Sequence, residues 1–247
     1  VRGAPGVPGS ARGPQVNAMP LIEFRGAAVA YDGEQILAPL TVSLSEQRIG
    51  IIGSNGSGKS TTVRLINGLI EPTSGQVLYD GLTPNKRGKD IRKRVGFVFS
   101  DAESQIVMPR VSDDVAFSLR RFKLPREEVN RRVADALERF DLTDRAEHSP
   151  HTLSGGEKQM LALASVLVIE PDTIIADEPT TLLDLRNRRR IVRELMSLDQ
   201  QLIVVTHDLE MLRGFDRVLV IDDGALAYDG TPDAAIAFYT DLMDAKP

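Results

Sequence analysis

Apolar positions along this chain alternate between strand-like and helix-like spacing. Short apolar runs bounded by turn residues predict strands over residues 21–30, 36–44, 48–52, 76–79 and 95–99. The spacing then becomes helical, and it predicts helices over residues 112–119, 126–140 and 155–168. Strands return over residues 173–178, 202–206, 218–221 and 225–230, the last of them followed by a helix. The helical block is therefore predicted to be an insertion into an α/β domain.

A phosphate-binding loop is predicted after the third strand. The segment Gly53–Ser60 reads GSNGSGKS, which matches G-x-x-x-x-G-K-[ST] in full. Its glycines let the backbone N–H groups curl around a phosphate, Lys59 reaches the terminal phosphates, and the Ser60 hydroxyl can ligate Mg²⁺. A chance match is the alternative, but the strand before the motif and the helix after it argue against one.

A pair of carboxylates ends the predicted strand over residues 173–178. A buried parallel strand would deliver Asp177 and Glu178 to the carboxyl edge of a sheet, where ligands bind. Asp177 is placed to hold the Mg²⁺ shell. Glu178 points to the opposite side by strand alternation and can polarise the water that attacks the γ-phosphate. A solvated acidic strand end is the alternative.

A second anion site is predicted where the segment Leu153–Gln159, LSGGEKQ, opens into an apolar helix. The first N–H groups of a helix lack intrahelical partners, and the positive end of the helix dipole lies there. Such an end favours an anion.

In this order the motifs resemble those of the ATP-binding cassette (ABC) ATPases, over about residues 21–230. The resemblance implies an α/β fold with a P-loop (RecA-like) ABC ATPase core, an N-terminal antiparallel β subdomain and an inserted α-helical subdomain at about residues 101–170. It also implies ATP and Mg²⁺ as ligands, and a head-to-tail dimer in which the signature segment of one subunit caps ATP on the P-loop of the other. The nucleotide-binding residues implied are Tyr31, Gly53, Ser54, Asn55, Gly56, Ser57, Gly58, Lys59, Ser60 and Thr61, and the signature residues are Leu153, Ser154, Gly155, Gly156 and Glu157.

Three further roles come from the same resemblance. Tyr31 looks like the aromatic that stacks on adenine, although it could be an ordinary strand-end aromatic. Asp184 looks like the D-loop aspartate, which spans the dimer. His207 looks like the switch histidine at the γ-phosphate, with a structural histidine as the alternative; Glu178 and His207 are thus the catalytic candidates.

Some positions depart from the family pattern. Ser100 stands where the family commonly has a Gln that senses Mg²⁺ and water, and Ser100 is too short to do this identically. Gln105 could take over as a metal ligand beside Ser60 and Asp177, or it could serve the local loop. Leu182 stands where a small residue is usual, which puts the geometry of the D-loop in doubt.

Composition agrees with one ATPase unit. The 247 residues suit a single α/β core with a subdomain, and the absence of Cys excludes disulfides and thiolate zinc sites. The net charge of −5 argues against a general nucleic-acid binder, and no nucleic acid is expected as a partner. The arginine-rich run over residues 186–190 is interpreted as a solvated helical face.

The first eighteen residues are rich in Gly, Pro, Ala and Arg and are predicted to be disordered. The ATPase domain is expected to cover residues 19–247, with Met19 as a candidate start. No apolar run approaches the roughly 20 residues that span a bilayer, so any channel is expected on another polypeptide. The apolar segment over residues 105–109 could be a docking surface for that polypeptide, or it could tuck into the subdomain core.

The run over residues 95–119 is similar to that of the energy-coupling factor (ECF) transporter ATPases, with matches at Val95, Gly96, Phe99, Gln105, Asp114, Val115, Ala116 and Phe117. Within that group, residues 100–108 are most similar to biotin-transporter ATPases. The resemblance implies uptake of a vitamin, with biotin favoured, or of a transition-metal ion. It implies as partners an integral membrane coupling subunit, a substrate-capture membrane protein and a second ATPase, either identical or paralogous, at the cytoplasmic face of the membrane. The alternatives are the ATPase of another ABC importer or exporter, and a soluble ABC ATPase.

Overall fold

The computed structural model describes residues 18–181 and 183–246. The predictions for the tail, apart from its residue 18, and for Leu182 lie outside the described residues. Nine strands are described, β1 (Ile22–Tyr31), β2 (Glu34–Leu44), β3 (Arg48–Ile52), β4 (Ser74–Tyr79), β5 (Val95–Val98), β6 (Thr173–Asp177), β7 (Gln201–Val205), β8 (Arg217–Asp222) and β9 (Ala225–Gly230). The α-helices in this part of the chain are α1 (Lys59–Ile66), α2 (Pro84–Arg94), α3 (Ala102–Gln105), α4 (Val111–Leu119), α5 (Arg126–Arg139), α6 (Gly155–Leu167), α7 (Leu185–Met196), α8 (Leu209–Leu212) and α9 (Pro232–Asp244).

The strands form two sheets. The N-terminal sheet is antiparallel, with the order β2-β1-β4. The larger sheet has the order β5-β6-β7-β3-β8-β9, in which only β9 runs antiparallel to its neighbour. This is the predicted α/β fold with an N-terminal antiparallel β sheet. The strand β3 lies between β7 and β8, so the loop after β3 emerges at the centre of the carboxyl edge.

The larger sheet is covered on both faces. Along β6, Ile174 and Ala176 belong to one apolar cluster, whereas Ile175 belongs to a second cluster on the opposite face. The first cluster contains the apolar side chains of α4, α5 and α6, and the second contains those of α1 and the antiparallel sheet. Burial on both faces explains why these strands appear as continuous apolar runs in the sequence.

The chain leaves the larger sheet after β5 and returns to it at the adjacent strand β6. Between these strands lie α3 to α6 together with short 3₁₀ turns, and α4, α5 and α6 pack on one another. Val129, Val133 and Leu137 of α5 face this helical core, as their spacing predicts.

The helix α2 is one that the hydrophobic pattern missed. The helix α2 buries only Gly88 and Ile91, and most of its other residues are polar or charged. Its start is encoded by Pro84 at the first turn, a position where the missing proline N–H costs nothing. Periodicity could not find it because so few of its positions are apolar.

Candidate nucleotide site

The predicted phosphate loop connects β3 to α1 at the carboxyl edge of the larger sheet. Gly58 caps α1 with φ of 98°, and a Cβ there would lie 2.9 Å from the carbonyl oxygen of Ile36. Only glycine accommodates both constraints. Ser54 donates a hydrogen bond to Asp222 at 3.4 Å, Asn55 and Gly56 are exposed, and Gly53 and Ser57 are buried.

Lys59 is buried inside this loop and is only 6% exposed. Its Nζ donates to the carbonyl oxygens of Gly53 at 2.9 Å and Ser54 at 2.7 Å. Burial lowers the pKa of Lys59, and the carboxylates of Glu178 and Asp177 oppose that shift. A desolvated ammonium held by two carbonyl oxygens can exchange them for phosphate oxygens, which suits a triphosphate ligand.

Ser60 and Asp177 meet as the sequence predicts. The Ser60 hydroxyl donates to Asp177 Oδ1 at 2.8 Å, and Asp177 is 1% exposed. Both oxygens are hard ligands of the kind that Mg²⁺ prefers when phosphate oxygens and water complete its shell. The described residues contain no cluster of three or more His, Asp or Glu side chains suited to a metal.

Arg64 is a residue that sequence reasoning missed. Its Nη2 lies 3.2 Å from Asp177 Oδ2, on the side of the carboxylate away from Ser60. The signal was available, because Arg64 follows Ser60 by four positions on α1 and therefore shares its face.

Glu178 and His207 contact each other at the same edge. The Oε1 of Glu178 lies 2.9 Å from His207 Nε2, and its other oxygen accepts from Thr181 at 3.4 Å. Burial raises the pKa of Glu178, while the neighbouring His207 and Lys59 act to lower it. A carboxylate with a raised pKa is better suited to accept a proton from water.

The prediction that Glu178 is oriented by strand alternation was wrong. The strand β6 ends at Asp177, and Glu178 has a left-handed φ of 54° while its N–H donates to Val205 at 2.9 Å. This turn, and not the pleat of a strand, separates the two carboxylates. Left-handed backbone at a residue with a side chain is strained and is concentrated at functional sites.

The arginine-rich run is only partly a solvated face. Arg186 and Arg189 are exposed, but Arg188 contacts Asp208 through two nitrogens, at 3.0 and 2.6 Å. Asp208 follows His207 and caps α8, so this pair holds the loop that carries the candidate switch histidine. Arg190 donates to the carbonyl oxygen of Phe140 at 2.8 Å.

The signature segment begins α6 with a capping box. The Ser154 hydroxyl accepts from the Glu157 N–H at 3.3 Å, and Glu157 accepts from the Ser154 N–H at 2.8 Å. Hydrogen bonds from Ser154 lower the pKa of Glu157. One of the N–H groups predicted to be free is thus satisfied within the chain. Leu153 is buried, whereas Ser154 and Gly155 are exposed.

Asp184 and the signature are linked within the subunit. Asp184 caps α7 by accepting from the Asn187 N–H at 2.8 Å, and its other oxygen accepts from the Asn187 amide at 2.8 Å. Asn187 packs on Gly156, where an added Cβ would lie 2.3 Å from Asn187 Cγ. Gly156 therefore allows α6 and α7 to approach closely.

Replacing Gly156 with Ala is expected to lower the free energy of unfolding by about 1–3 kcal/mol because the new methyl group overlaps Asn187. Urea unfolding measures this loss. The matched control is Gly155→Ala, where a Cβ meets nothing within 4 Å, and its effect should stay within about 0.5 kcal/mol. Equal losses in both variants would contradict the packing argument.

Two remaining candidates differ in their surroundings. Tyr31 ends β1 with 55% of its surface exposed, which leaves its ring free to stack on a base. Gln105 accepts from the Phe99 N–H at 3.2 Å and donates to the Ala162 carbonyl oxygen at 3.5 Å. These contacts agree with the alternative in which Gln105 serves local structure, because a role as a metal ligand would require its carboxamide to leave these partners.

The ABC transporter family model matches residues 38–181. A Deinococcus radiodurans protein provisionally named an ABC transporter ATP-binding protein is 50% identical over 223 residues, which cover 90% of this chain and 99% of the relative. The biotin transport ATP-binding protein BioM of Rhizobium etli is 45% identical, over 90% of this chain and 98% of its own. The energy-coupling factor transporter ATP-binding protein EcfA1 of Ligilactobacillus salivarius is 40% identical, over 91% and 82%.

One of the similar solved structures is also an ABC transporter component. The protein cbiO1 from Clostridium perfringens, described as part of the ABC transporter complex cbiONQ, superposes with a TM-score of 0.78 at 31% identity. The match covers 90% of this chain and 93% of that one.

Proposed function

Because the chain belongs to the ABC transporter family of ATP-hydrolysing subunits, we propose that it powers an importer of the energy-coupling factor type, with biotin as the favoured cargo. The names of the relatives BioM and EcfA1 support this class. The observation that carries the proposal is that Val107, an apolar side chain between α3 and α4, is exposed to solvent.

The segment over residues 105–109 was predicted either to form a docking surface or to pack into the subdomain core, and its residues are split between these two environments. Ile106 packs against the apolar core, whereas Val107 is 61% exposed. Together with Met108 and Pro109 they line a groove of about 260 Å³, which is also lined by Glu103, Pro150, His151 and Lys158. We name residues 105–109 the docking segment. A groove with an exposed apolar side chain at its rim fits a short apolar segment of a partner.

In the proposed mechanism, the loop N–H groups and Lys59 bind the phosphates of ATP, and Ser60 and Asp177 would hold a magnesium ion. When bound, the ion would neutralise the charge that develops on the phosphates. Glu178 accepts the proton of the attacking water, and His207 orients Glu178 from 2.9 Å. Ser154 and the exposed start of α6 reach the nucleotide of a second subunit, so that hydrolysis controls whether the dimer stays closed.

The proposed partners are a membrane-embedded coupling subunit, a substrate-capture membrane protein and a second ATPase. Within residues 18–181 and 183–246, no helix is both long and apolar enough to cross a membrane. We propose that the chain works at the cytoplasmic face of the membrane through these partners.

Uptake measurements in the native host test the cargo. A strain that lacks this chain should lose high-affinity uptake of labelled biotin, and wild-type chain supplied in trans should restore it. Uptake of labelled Co²⁺ or Ni²⁺ is measured in parallel. Loss of metal uptake alone would replace biotin with a metal ion, and unchanged uptake of both would favour a different transporter or a soluble role.

Replacing Val107 with Asp is expected to weaken membrane association by about tenfold or more, because an interface would have to desolvate the new charge. The fraction of chain that sediments with native membranes measures association, and calorimetry with ATP should show unchanged affinity. Leu69→Asp is the matched control, since Leu69 is also exposed, at 46%, but lies outside the docking segment. Equal loss in both variants would contradict docking at residues 105–109.

A further inference from the structure

The docking segment is held by a buried carboxylate that the proposed catalytic mechanism does not use. Asp114, in the first turn of α4, is only 4% exposed. Its Oδ1 accepts from the N–H groups of Val107 at 2.9 Å and Met108 at 3.0 Å. Two successive N–H groups drawn toward one buried oxygen fix the backbone of the docking segment while Val107 remains exposed.

The other oxygen of this carboxylate reaches the signature helix. Ser165 of α6, 7% exposed, donates to Asp114 Oδ2 at 3.2 Å. All three bonds to Asp114 come from neutral donors. A buried carboxylate is costly to desolvate unless hydrogen bonds hold it in place, so its position here is tightly determined.

A stripe along α6 makes the same connection at three points. Lys158 contacts Glu103 of α3 at 3.0 Å, the Ala162 carbonyl oxygen accepts from Gln105, and Ser165 donates to Asp114. Positions 158, 162 and 165 follow the spacing of one helical face. The helix α3, the docking segment and the helix α4 are thus each attached to the same side of α6, the helix that begins at the signature.

The helix α6 is continuous from the signature to this attachment. It begins after the capping box at Ser154 and runs without interruption through Ser165, a rise of about 15 Å. A continuous, packed helix moves as a rigid element, so a displacement at the signature is carried to Ser165.

We propose that Asp114 and Ser165 form a coupling clamp, in which Asp114 is a positioning residue that joins the docking segment to the signature helix. ATP-driven closure of the dimer displaces the signature, and the clamp transmits this displacement to Val107. The proposal rests on the proposed function, because it takes ATP-driven dimer closure as its input.

The local part of the clamp is tested first, by hydrogen exchange and mass spectrometry of the ATP-free chain. Asp114→Ala should raise the exchange rate of the Val107 and Met108 amides about tenfold or more. Asp114→Asn should largely restore protection, since its oxygen accepts both N–H groups and its amide can donate to Ser165. Asp113→Ala is the matched control, because Asp113 is an exposed neighbour on the same helix. Unchanged exchange in Asp114→Ala would overturn the clamp.

Transmission is tested in a Glu178→Gln background, in which ATP and Mg²⁺ should trap the dimer. ATP is expected to change exchange across residues 105–110 by about threefold or more. Adding Ser165→Ala should weaken this response, since it removes one of the three attachments to α6, while gel filtration still shows the ATP-dependent dimer. Ser165→Ala leaves both hydrogen bonds that the docking segment donates to Asp114, so this variant keeps the test valid even where Asp114→Ala fails to fold.

The outcomes are distinguishable. A dimer whose docking segment does not respond to ATP, or a full response in the Ser165→Ala variant, would overturn the coupling clamp and leave the proposed ATPase function intact. Failure of ATP to form any dimer, either of this chain alone or with the second ATPase of the proposed complex, would overturn the proposed function itself, together with the inference that rests on it.

Discussion

Replacing Glu178 with Gln is expected to lower the steady-state ATPase rate by about 10²–10⁴-fold, the usual contribution of a general base. The amide has the same shape and can still face His207, but it cannot take a proton from the attacking water. ATP should therefore bind and remain intact, and the protein should accumulate as an ATP-bound dimer. Phosphate release and gel filtration with ATP and Mg²⁺ measure the two effects.

Glu170→Gln is the matched control for this change. Glu170 shares the left-handed backbone of Glu178, with φ of 52°, but its side chain is 67% exposed and pairs with Arg132. The control should keep the wild-type rate and should not trap a dimer. Retained turnover in Glu178→Gln would show that another group accepts the proton.

Mixing two inactive variants is expected to restore ATP hydrolysis if the signature acts on the nucleotide of a second copy of this chain. Lys59→Ala removes the buried ammonium of the phosphate loop, and Ser154→Arg places a bulky cation at the exposed start of α6. Each variant alone should lose about 10²-fold or more in rate. A mixed dimer contains one intact site, made from the loop of one subunit and the signature of the other, so an equimolar mixture should regain up to about a quarter of the wild-type sites.

A second mixture provides the control. Lys59 and Glu178 act on the same side of one site, as the effect of each charge on the pKa of the other indicates. Lys59→Ala mixed with Glu178→Gln should therefore leave no intact site and show no recovery. Recovery in both mixtures would contradict the shared site, and recovery in neither, despite dimer formation, would contradict a signature that acts in trans between identical chains.

Most of the candidate site is encoded in short segments that can be interpreted locally. The phosphate loop that contains Lys59 and Ser60 follows an apolar strand and begins with glycine, a residue typical of turns. The apolar run that ends at Asp177 changes from apolar to charged residues at its end. Both features place these residues at strand ends. The meeting of Ser60 with Asp177 followed from topology alone, because parallel strands deliver their ends to one edge.

Other contacts could not be inferred from local pattern. The pairing of Arg188 with Asp208 and the packing of Gly156 on Asn187 join residues that lie far apart in the sequence. Arg188 belongs to a run that has the composition of a solvated face. Gly156 belongs to the signature segment, where the sequence predicts an anion site and gives no sign of helix packing. The turn at Glu178 was equally hidden, since glutamate gives no sign of left-handed backbone.

The sequence by itself determined the α/β class, the order of the strands along the chain, the phosphate loop and the acidic strand end, because each depends on periodicity or on turn residues within one segment. Only the tertiary structure decided that Gln105 contacts Phe99 and Ala162, that Val107 stays exposed, and that Asp114 reaches both the docking segment and Ser165. The physical reason is that a polar side chain takes whichever donors and acceptors the packed helices bring to it. That choice is settled by distances between segments, which no local pattern contains.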